Sequence, residues 1–128
     1  MIVLDTHAWI WWVGNPKKLS QAARRSIADA REIAVAASSC WEIAMLVEKD
    51  RLELDRDVLV WIRQALALPK VIFAPLSPEI AVAAARLGDE FPGDPADRMI
   101  VATALDRKST LVTKDRRLRS FQAVTTVW

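Results

Sequence analysis

Four acidic residues stand where their side chains can reach one end of a β-sheet. Asp5 follows the apolar run that opens the chain, and Asp115 closely follows Leu111-Val112. Apolar runs this short predict buried strands. Glu42 and Asp97 lie near the predicted starts of two helices. Because ligands of open α/β sheets collect outside the carboxyl ends of the strands, we expect these four carboxylates to face one crevice.

Carboxylates that share one crevice repel each other, and a bound cation makes such an arrangement favourable. Ligand sets made only of oxygen select Mg²⁺ or Mn²⁺ over zinc. His7 is the sole histidine and Cys40 the sole cysteine, so the sequence offers no zinc cluster. We expect His7 to be a structural polar residue beside the site. The acids therefore predict a divalent-metal site.

Each acid also has a local explanation. Asp5 fits a turn residue or the N-cap of the next helix. Ser39-Cys40-Trp41-Glu42 fits a capping box, in which Glu42 returns to the serine N–H. The rest of that helix is apolar nearly all round, which predicts a partly buried Glu42 that needs a partner. Both explanations of Glu42 stay open, whereas capping of the following helix is sufficient to explain Asp94.

The order of the predicted elements indicates the fold class. Strands are expected at about 1–5, 33–36, 71–74, 110–113 and 123–127. Helices are expected at about 6–13, 20–30, 40–49, 58–68, 77–88 and 94–108. Strands that alternate with helices predict an α/β fold with a mainly parallel sheet. We expect one domain over residues 1–128.

Composition narrows the class of protein. The chain has 128 residues, 52% of them apolar, which favours a folded domain with a real core. No apolar run approaches the roughly 20 residues of a membrane span. The start of the chain shows no signal-peptide pattern, and a single cysteine excludes an internal disulfide. We therefore expect a cytoplasmic protein.

Basic residues gather around Asp115 although the net charge is only +2. They include Lys108, Arg116, Arg117 and Arg119. Such residues favour a polyanionic substrate, because contacts with phosphates give affinity without base specificity. An ordinary solvated face is the alternative interpretation.

Four sequence segments, in order and spanning nearly the whole chain, resemble the PIN-domain family, and most closely the VapC-type toxins of type II toxin–antitoxin systems. The segments are Leu4-Asp5-Thr6-His7-Ala8, Ser38 with Trp41-Glu42-Ile43-Ala44, Asp94-Pro95-Ala96-Asp97-Arg98 through Ala102-Thr103-Ala104, and Leu111-Val112-Thr113-Lys114-Asp115. Together they are specific, whereas one alone would be weak. The chain departs from the family pattern at Pro92-Gly93 and Ala96.

The resemblance implies a PIN-like (Rossmann-like) three-layer sandwich and a metal-dependent endoribonuclease. It implies that Asp5, Glu42, Asp97 and Asp115 form the acidic Mg²⁺ or Mn²⁺ site, with Thr6, Asp94 and Thr113 supporting it. It also implies a cognate antitoxin. Among the six tryptophans, any that core packing leaves exposed would mark an antitoxin or homodimer surface.

Three rival interpretations are compatible with a small α/β domain. A response-regulator receiver needs paired acids after the first strand, where Asp5 has no acidic neighbour. A haloacid-dehalogenase-type phosphatase needs Asp-x-Asp there, but residue 7 is His. A non-catalytic PIN-like module that binds RNA or a partner stays open, although the intact acids argue against it.

Overall fold

The computed structural model describes residues 1–91 and 94–128. Within these residues the chain forms five β-strands and seven α-helices. The strands are β1 (Ile2–Leu4), β2 (Ile33–Ala36), β3 (Val71–Ala74), β4 (Thr110–Val112) and β5 (Thr126–Val127). The helices are α1 (Thr6–Gly14), α2 (Gln21–Asp29), α3 (Ala37–Glu48), α4 (Val58–Leu66), α5 (Pro78–Ala85), α6 (Pro95–Asp106) and α7 (Arg116–Arg119). The departure noted at Pro92-Gly93 lies outside the described residues.

The strands form one sheet in the order β3-β2-β1-β4-β5, and every described pair is parallel. This confirms the predicted α/β class. The chain builds outward from β1 through β2 to β3, and then returns to place β4 on the other side of β1. The order of the strands therefore reverses between β1 and β4, which is where open α/β sheets place their ligands.

Alternate residues of the strands supply two separate cores. Ile2 and Leu4 of β1 pack with apolar side chains of α1, α2, α3 and α4, including Trp9 and Ile43. Val3 faces the other way and packs with residues of α6 and α7. Successive side chains of a strand point to opposite faces, so helices cover both faces of the sheet. The result is the predicted three-layer sandwich.

Serine side chains hold the first turns of two helices. Ser20 accepts the N–H of Ala23, and Ser77 accepts the N–H of Ile80 ahead of the helix that begins at Pro78. Ser20 and Ser77 therefore act as the N-caps of α2 and α5.

The predicted start of α3 is wrong. The helix begins at Ala37, directly after β2, and its N-cap is Ala36 without a capping side chain. Ser39 is consequently the third residue of the helix and is fully buried. Because no loop separates β2 from α3, Ser39 cannot adopt the extended backbone of an N-cap, and the capping box with Glu42 does not form.

The remaining differences are at element ends. The terminal strand β5 is limited to Thr126–Val127, shorter than predicted, and α5 ends at Ala85. Gly88, the predicted end of that helix, lies beyond it with a φ of +88°, a conformation that glycine adopts without strain. In residues 1–91 and 94–128, no helix combines the length and apolar character needed to cross a membrane.

Candidate metal centre

Three carboxylates converge at the carboxyl end of the sheet. Asp5, Glu42 and Asp97 each offer an oxygen, and these oxygens all lie within 4.8 Å of one another. Asp5 caps α1, Glu42 projects from the first half of α3, and Asp97 stands on the first turn of α6. These residues are separated by up to 92 positions in sequence. They meet because α1, α3 and α6 all begin at the carboxyl end of the sheet.

Asp5 is fixed by the register of β1 and β4. Leu4 pairs with Val112, so Asp5 and Thr113 leave the sheet side by side. The Thr113 hydroxyl donates to Asp5 Oδ2 at 2.6 Å, and the Thr6 backbone N–H donates to Oδ1 at 2.8 Å. Asp5 is only 4% exposed. The carboxylate therefore acts as the helix N-cap that its position suggests, and also points its charge into the crevice.

Glu42 is positioned by Thr6 instead of by its own helix. The Thr6 hydroxyl donates to Glu42 Oε1 at 2.6 Å, and the same hydroxyl lies 3.0 Å from Ser39 Oγ. Burial raises the pKa of Glu42, and the charges of Asp5 and Asp94 raise it further, while the Thr6 hydrogen bond opposes them. Glu42 is thus the partly buried, partnered acid that the apolar helix predicts.

Asp97 is the most perturbed acid of the three. Its N–H donates to Asp94 Oδ1 at 2.9 Å, so Asp94 caps α6 as predicted. Burial raises the pKa of Asp97 to about 7, with further contributions from the charges of Asp94, Asp5 and Glu42. Crowding of acids at a partly buried position disfavours the ionised form. Without a cation, the electrostatic potential in the crevice is therefore strongly negative.

Asp115 lies at the same edge but outside this group of three. Its carboxylate caps α7 and accepts from Arg117 Nη2 at 3.0 Å, and these contacts with Arg117 hold the pKa of Asp115 below its usual range. Arg117 Nη2 also stands 3.8 Å from Asp97 Oδ2. The guanidinium therefore links the fourth acid to the triad.

His7 is beside the site, as the sequence predicts. Its Nε2 accepts the Lys114 N–H at 2.9 Å, and its Nδ1 is 3.6 Å from Asp5 Oδ2. Burial lowers the pKa of His7. Since Nε2 is an acceptor, the proton of the neutral ring is on Nδ1 and faces Asp5.

The basic residues lie at two different ends of the sheet, some at the carboxyl ends of the strands and one at the amino ends. Arg116 and Arg119 are exposed on α7, which begins directly after Asp115. Lys108 follows α6, whose 12 residues span about 18 Å away from the acids. Lys108 precedes β4 and thus lies at the amino end of the strands, opposite the acids. The expectation that Lys108 rims the site is wrong. Lys108 is close to Asp115 in sequence, but β4 runs between them and carries the chain from one end of the sheet to the other.

The tryptophans also divide. Trp9 and Trp61 are buried and pack edge to face with centroids 5.3 Å apart. Trp11 packs against Trp128 and the His7 ring. Trp41 is 60% exposed, the largest exposed fraction among the large apolar side chains. Among the described residues, the most exposed tryptophan is therefore on α3.

Two contributions were missed by sequence reasoning. Ser39 was interpreted as a cap, although its hydroxyl contacts Thr6 inside the crevice. Arg117 was assigned only to substrate, although it contacts both Asp115 and Asp97. The run of basic residues directly after Asp115 does indicate the contact between Arg117 and Asp115, because an acid at a helix N-cap lies close to side chains of the first turn.

Comparison with known proteins agrees with this geometry. The PIN domain family model matches residues 2–124. Ribonuclease VapC22 of Mycobacterium tuberculosis (strain ATCC 25618 / H37Rv) is 44% identical over 129 residues, which covers 99% of this chain and 98% of the relative. The chain belongs to the PIN domain family.

Solved structures share the fold. VapBC2 from Rickettsia felis, bound to a DNA fragment from its promoter, contains a chain with a TM-score of 0.72 at 16% identity. A toxin–antitoxin complex from Klebsiella pneumoniae contains one with a TM-score of 0.69 at 19% identity. Each match covers 98% of this chain and 97% of the other. At these identities the likeness establishes the fold alone.

The elevated pKa of Asp97 predicts how stability depends on pH without metal. The folded protein holds a proton on Asp97 up to about pH 7, whereas an unfolded aspartate releases it near its ordinary pKa of 3.8. This group therefore makes the folded state less stable as pH rises between those values. In EDTA, Asp97→Asn should flatten that decline and raise the free energy of unfolding at pH 8 by on the order of 1 kcal/mol.

Urea denaturation across this pH range measures the effect. Asp89→Asn, a substitution at an exposed loop acid, is the matched control. An identical pH profile for Asp97→Asn and Asp89→Asn would show that Asp97 is not under electrostatic strain.

Proposed function

We propose that this protein is the toxin of a toxin–antitoxin pair and a metal-dependent endoribonuclease that hydrolyses phosphodiester bonds of RNA. The observation that carries the proposal is the convergence of the Asp5, Glu42 and Asp97 carboxylates within 4.8 Å. A relative called a ribonuclease, 44% identical over nearly the whole length of both chains, supports the choice of substrate.

The residues of the crevice fit a divalent cation. They offer only carboxylate oxygens, the donor type that Mg²⁺ and Mn²⁺ prefer. Burial raises the pKa values of Asp97 and Glu42, and the charges of neighbouring acids raise them further. A cation bound between these carboxylates would favour their ionised forms. When bound, the cation supplies Lewis-acid chemistry: it makes water a better nucleophile at neutral pH and offsets charge that develops on the phosphoryl group.

The roles of the acids follow from their surroundings. Asp5 and Asp97 are the proposed direct ligands. The Thr113 hydroxyl holds the Asp5 carboxylate, and Asp94 holds the backbone of Asp97 at the first turn of α6. Glu42 and Asp115 would bind through water, accept a proton from the nucleophile, or help hold a second ion. Thr6, Thr113 and Asp94 keep the ligands in place through hydrogen bonds.

Water as the nucleophile leaves a 5′-phosphate and a 3′-hydroxyl. A histidine-driven attack by the 2′-hydroxyl has little support here. His7 is the sole histidine, its Nε2 already accepts the Lys114 N–H, and burial lowers its pKa. The acids of the crevice are therefore the groups proposed to handle protons.

The proposal includes a protein partner and a cellular location. Solved structures of the same fold include a toxin–antitoxin complex, which supports a cognate antitoxin for this chain. A homodimer and a cytoplasmic location are part of the same proposal. A non-catalytic module that only binds RNA or a partner is the alternative, and the intact triad argues against it.

Removal of one metal ligand should abolish the activity. Asp5→Asn should eliminate Mg²⁺- or Mn²⁺-dependent cleavage of single-stranded RNA, and EDTA should eliminate cleavage by the wild type. Thr113→Val removes the hydroxyl that donates to Asp5 and accepts the Asp115 N–H, and it should lower kcat/KM about 10- to 100-fold. Thr113→Ser keeps the hydroxyl and is the matched control. Gel analysis of 5′-labelled RNA measures cleavage by the wild type, with and without EDTA, and by each variant. Full activity of Asp5→Asn would contradict the proposal.

The toxin hypothesis concerns growth. Expression of the wild type in a bacterial host without a partner should arrest growth, whereas Asp5→Asn should not. Co-expression of the cognate antitoxin should restore growth of the wild type. Normal growth in the presence of soluble, folded wild-type protein would count against a toxin.

Phosphate contacts from α7 should make RNA affinity depend on salt. The double substitution Arg116→Ala with Arg119→Ala should weaken binding to every sequence tested and reduce the slope of log affinity against log salt by roughly 0.7 per lost contact. The cleavage position should not move, because these contacts carry no base information. Arg117 is left intact because it pairs with Asp115 and lies near Asp97.

Lys108→Ala is the control for this experiment, since Lys108 lies at the opposite edge of the sheet. Fluorescence anisotropy at several salt concentrations measures affinity. An unchanged slope in the double variant would show that α7 is only a solvated face.

A further inference from the structure

Two lysines lie over the ring of one tryptophan. Trp11 is partly buried on α1, and the Nζ atoms of Lys18 and Lys114 stand 5.7 and 5.6 Å from the centre of its ring. Lys18 ends a short 3₁₀ helix that follows α1, whereas Lys114 follows β4. An ammonium group at this distance is attracted by the negative face of an indole. The chemistry proposed above makes no use of this arrangement.

A series of direct contacts joins the two lysines to the metal centre. The His7 ring centre is 5.2 Å from that of Trp11, and His7 Nδ1 is 3.6 Å from Asp5 Oδ2. His7 Nε2 also accepts the N–H of Lys114, which fixes the backbone of this lysine beside the acids. The pair is therefore placed next to Asp5 by contacts in the folded protein.

The charges of both lysines are available to a ligand. In residues 1–91 and 94–128, neither Lys18 nor Lys114 forms an ion pair with a carboxylate, and both residues are exposed. A lysine side chain loses rotational freedom when a ligand fixes it, and this loss weakens binding. Contact with Trp11 restricts both side chains in advance and reduces that loss. The pair is thus prepared for an anion that reaches both ammonium groups.

The aromatic rings connect the lysine pair with α7. Trp128 packs against Trp11, with ring centres 5.8 Å apart. Trp128 also lines a cavity of about 590 Å³ together with Arg116 and Arg119, and no Asp or Glu side chain of the described residues lines it. Cations and aromatic rings therefore follow one another along a single surface beside the triad. This combination is typical of surfaces that bind single-stranded nucleic acid.

We infer that Lys18 and Lys114 bind phosphates of the RNA strand next to the bond cleaved at the triad, and that Trp11 is a positioning residue that holds both lysines for this contact. The inference rests on the proposed function for the identity of the ligand. It adds a second set of phosphate contacts to those of α7 and so defines a path for the strand across Trp128. An acidic protein segment is the competing occupant that the test must separate.

Binding is measured without cleavage, in EDTA, by fluorescence anisotropy of fluorescein-labelled single-stranded RNA at several salt concentrations. The double substitution Lys18→Gln with Lys114→Gln should weaken binding to every sequence and reduce the slope of log affinity against log salt by roughly 0.7 per lost contact. Lys49→Gln with Lys108→Gln is the matched control. It removes the same charge from exposed lysines beyond the ends of α3 and α6 that lie away from the acids, and it should leave the slope unchanged.

Trp11→Leu separates positioning from charge. Both lysines remain, so the salt slope should be that of the wild type, while affinity should fall about 2- to 10-fold because the freed side chains must be ordered on binding. Trp11→Phe keeps an aromatic face and should retain most of the affinity. Added to the lysine double variant, Trp11→Leu should have no further effect, whereas a general loosening of the fold would weaken binding in both backgrounds.

Unchanged affinity and salt slope in the lysine double variant would overturn the inference. An equal loss from Trp11→Leu in both backgrounds would overturn the positioning role of Trp11. Lysine-dependent binding of a fluorescein-labelled poly-glutamate peptide, with RNA affinity unchanged, would overturn the inference in favour of an acidic protein segment.

The proposed nuclease can fail separately. Lysine-dependent RNA binding without any metal-dependent cleavage would remove the enzyme and leave the lysine pair. Metal-dependent cleavage that is indifferent to both lysines would do the reverse.

Discussion

Repulsion among three crowded carboxylates, one buried and two partly buried, is the constraint on which the rest of this structure depends. One oxygen each of Asp5, Glu42 and Asp97 lies within 4.8 Å of the others. Burial, and after it the charges of the neighbouring acids, raises the pKa of Asp97 to about 7. A fold does not hold three acids together unless their positions are imposed by stronger features. Here these features are the parallel register of β1 and β4, which places Asp5, and the helices α3 and α6, which begin at the carboxyl end of the sheet and carry Glu42 and Asp97.

Hydroxyl groups connect the acids to this framework. Thr113 orients Asp5 across the junction of β4 and β1, and Thr6 orients Glu42 across the junction of α1 and α3. Both threonines are buried, so these bonds are shielded from competing water. The crevice is thus organised before any ligand arrives, and Arg117 partly balances its charge from the side of Asp97 and Asp115. Such preorganisation is what a metal or phosphate site requires.

The sequence predicts well what depends on local pattern and poorly what depends on contacts between distant segments. Asp5 was located because a short apolar run marks the strand before it, and the α/β class followed from the order of the elements. Ser39 was misplaced because a capping box is a local pattern, whereas its contact with Thr6 exists only in the folded protein. Lys108 was misplaced because closeness in sequence was taken for closeness in space.

The central claim is that the carboxylates converge to hold a divalent cation, and anomalous diffraction from crystals grown with Mn²⁺ tests it most directly. The account predicts a manganese peak within coordination distance of Asp5 and Asp97, which disappears in crystals of Asp5→Asn. The absence of a peak between these acids in the wild type, or a peak that survives in Asp5→Asn, would contradict it.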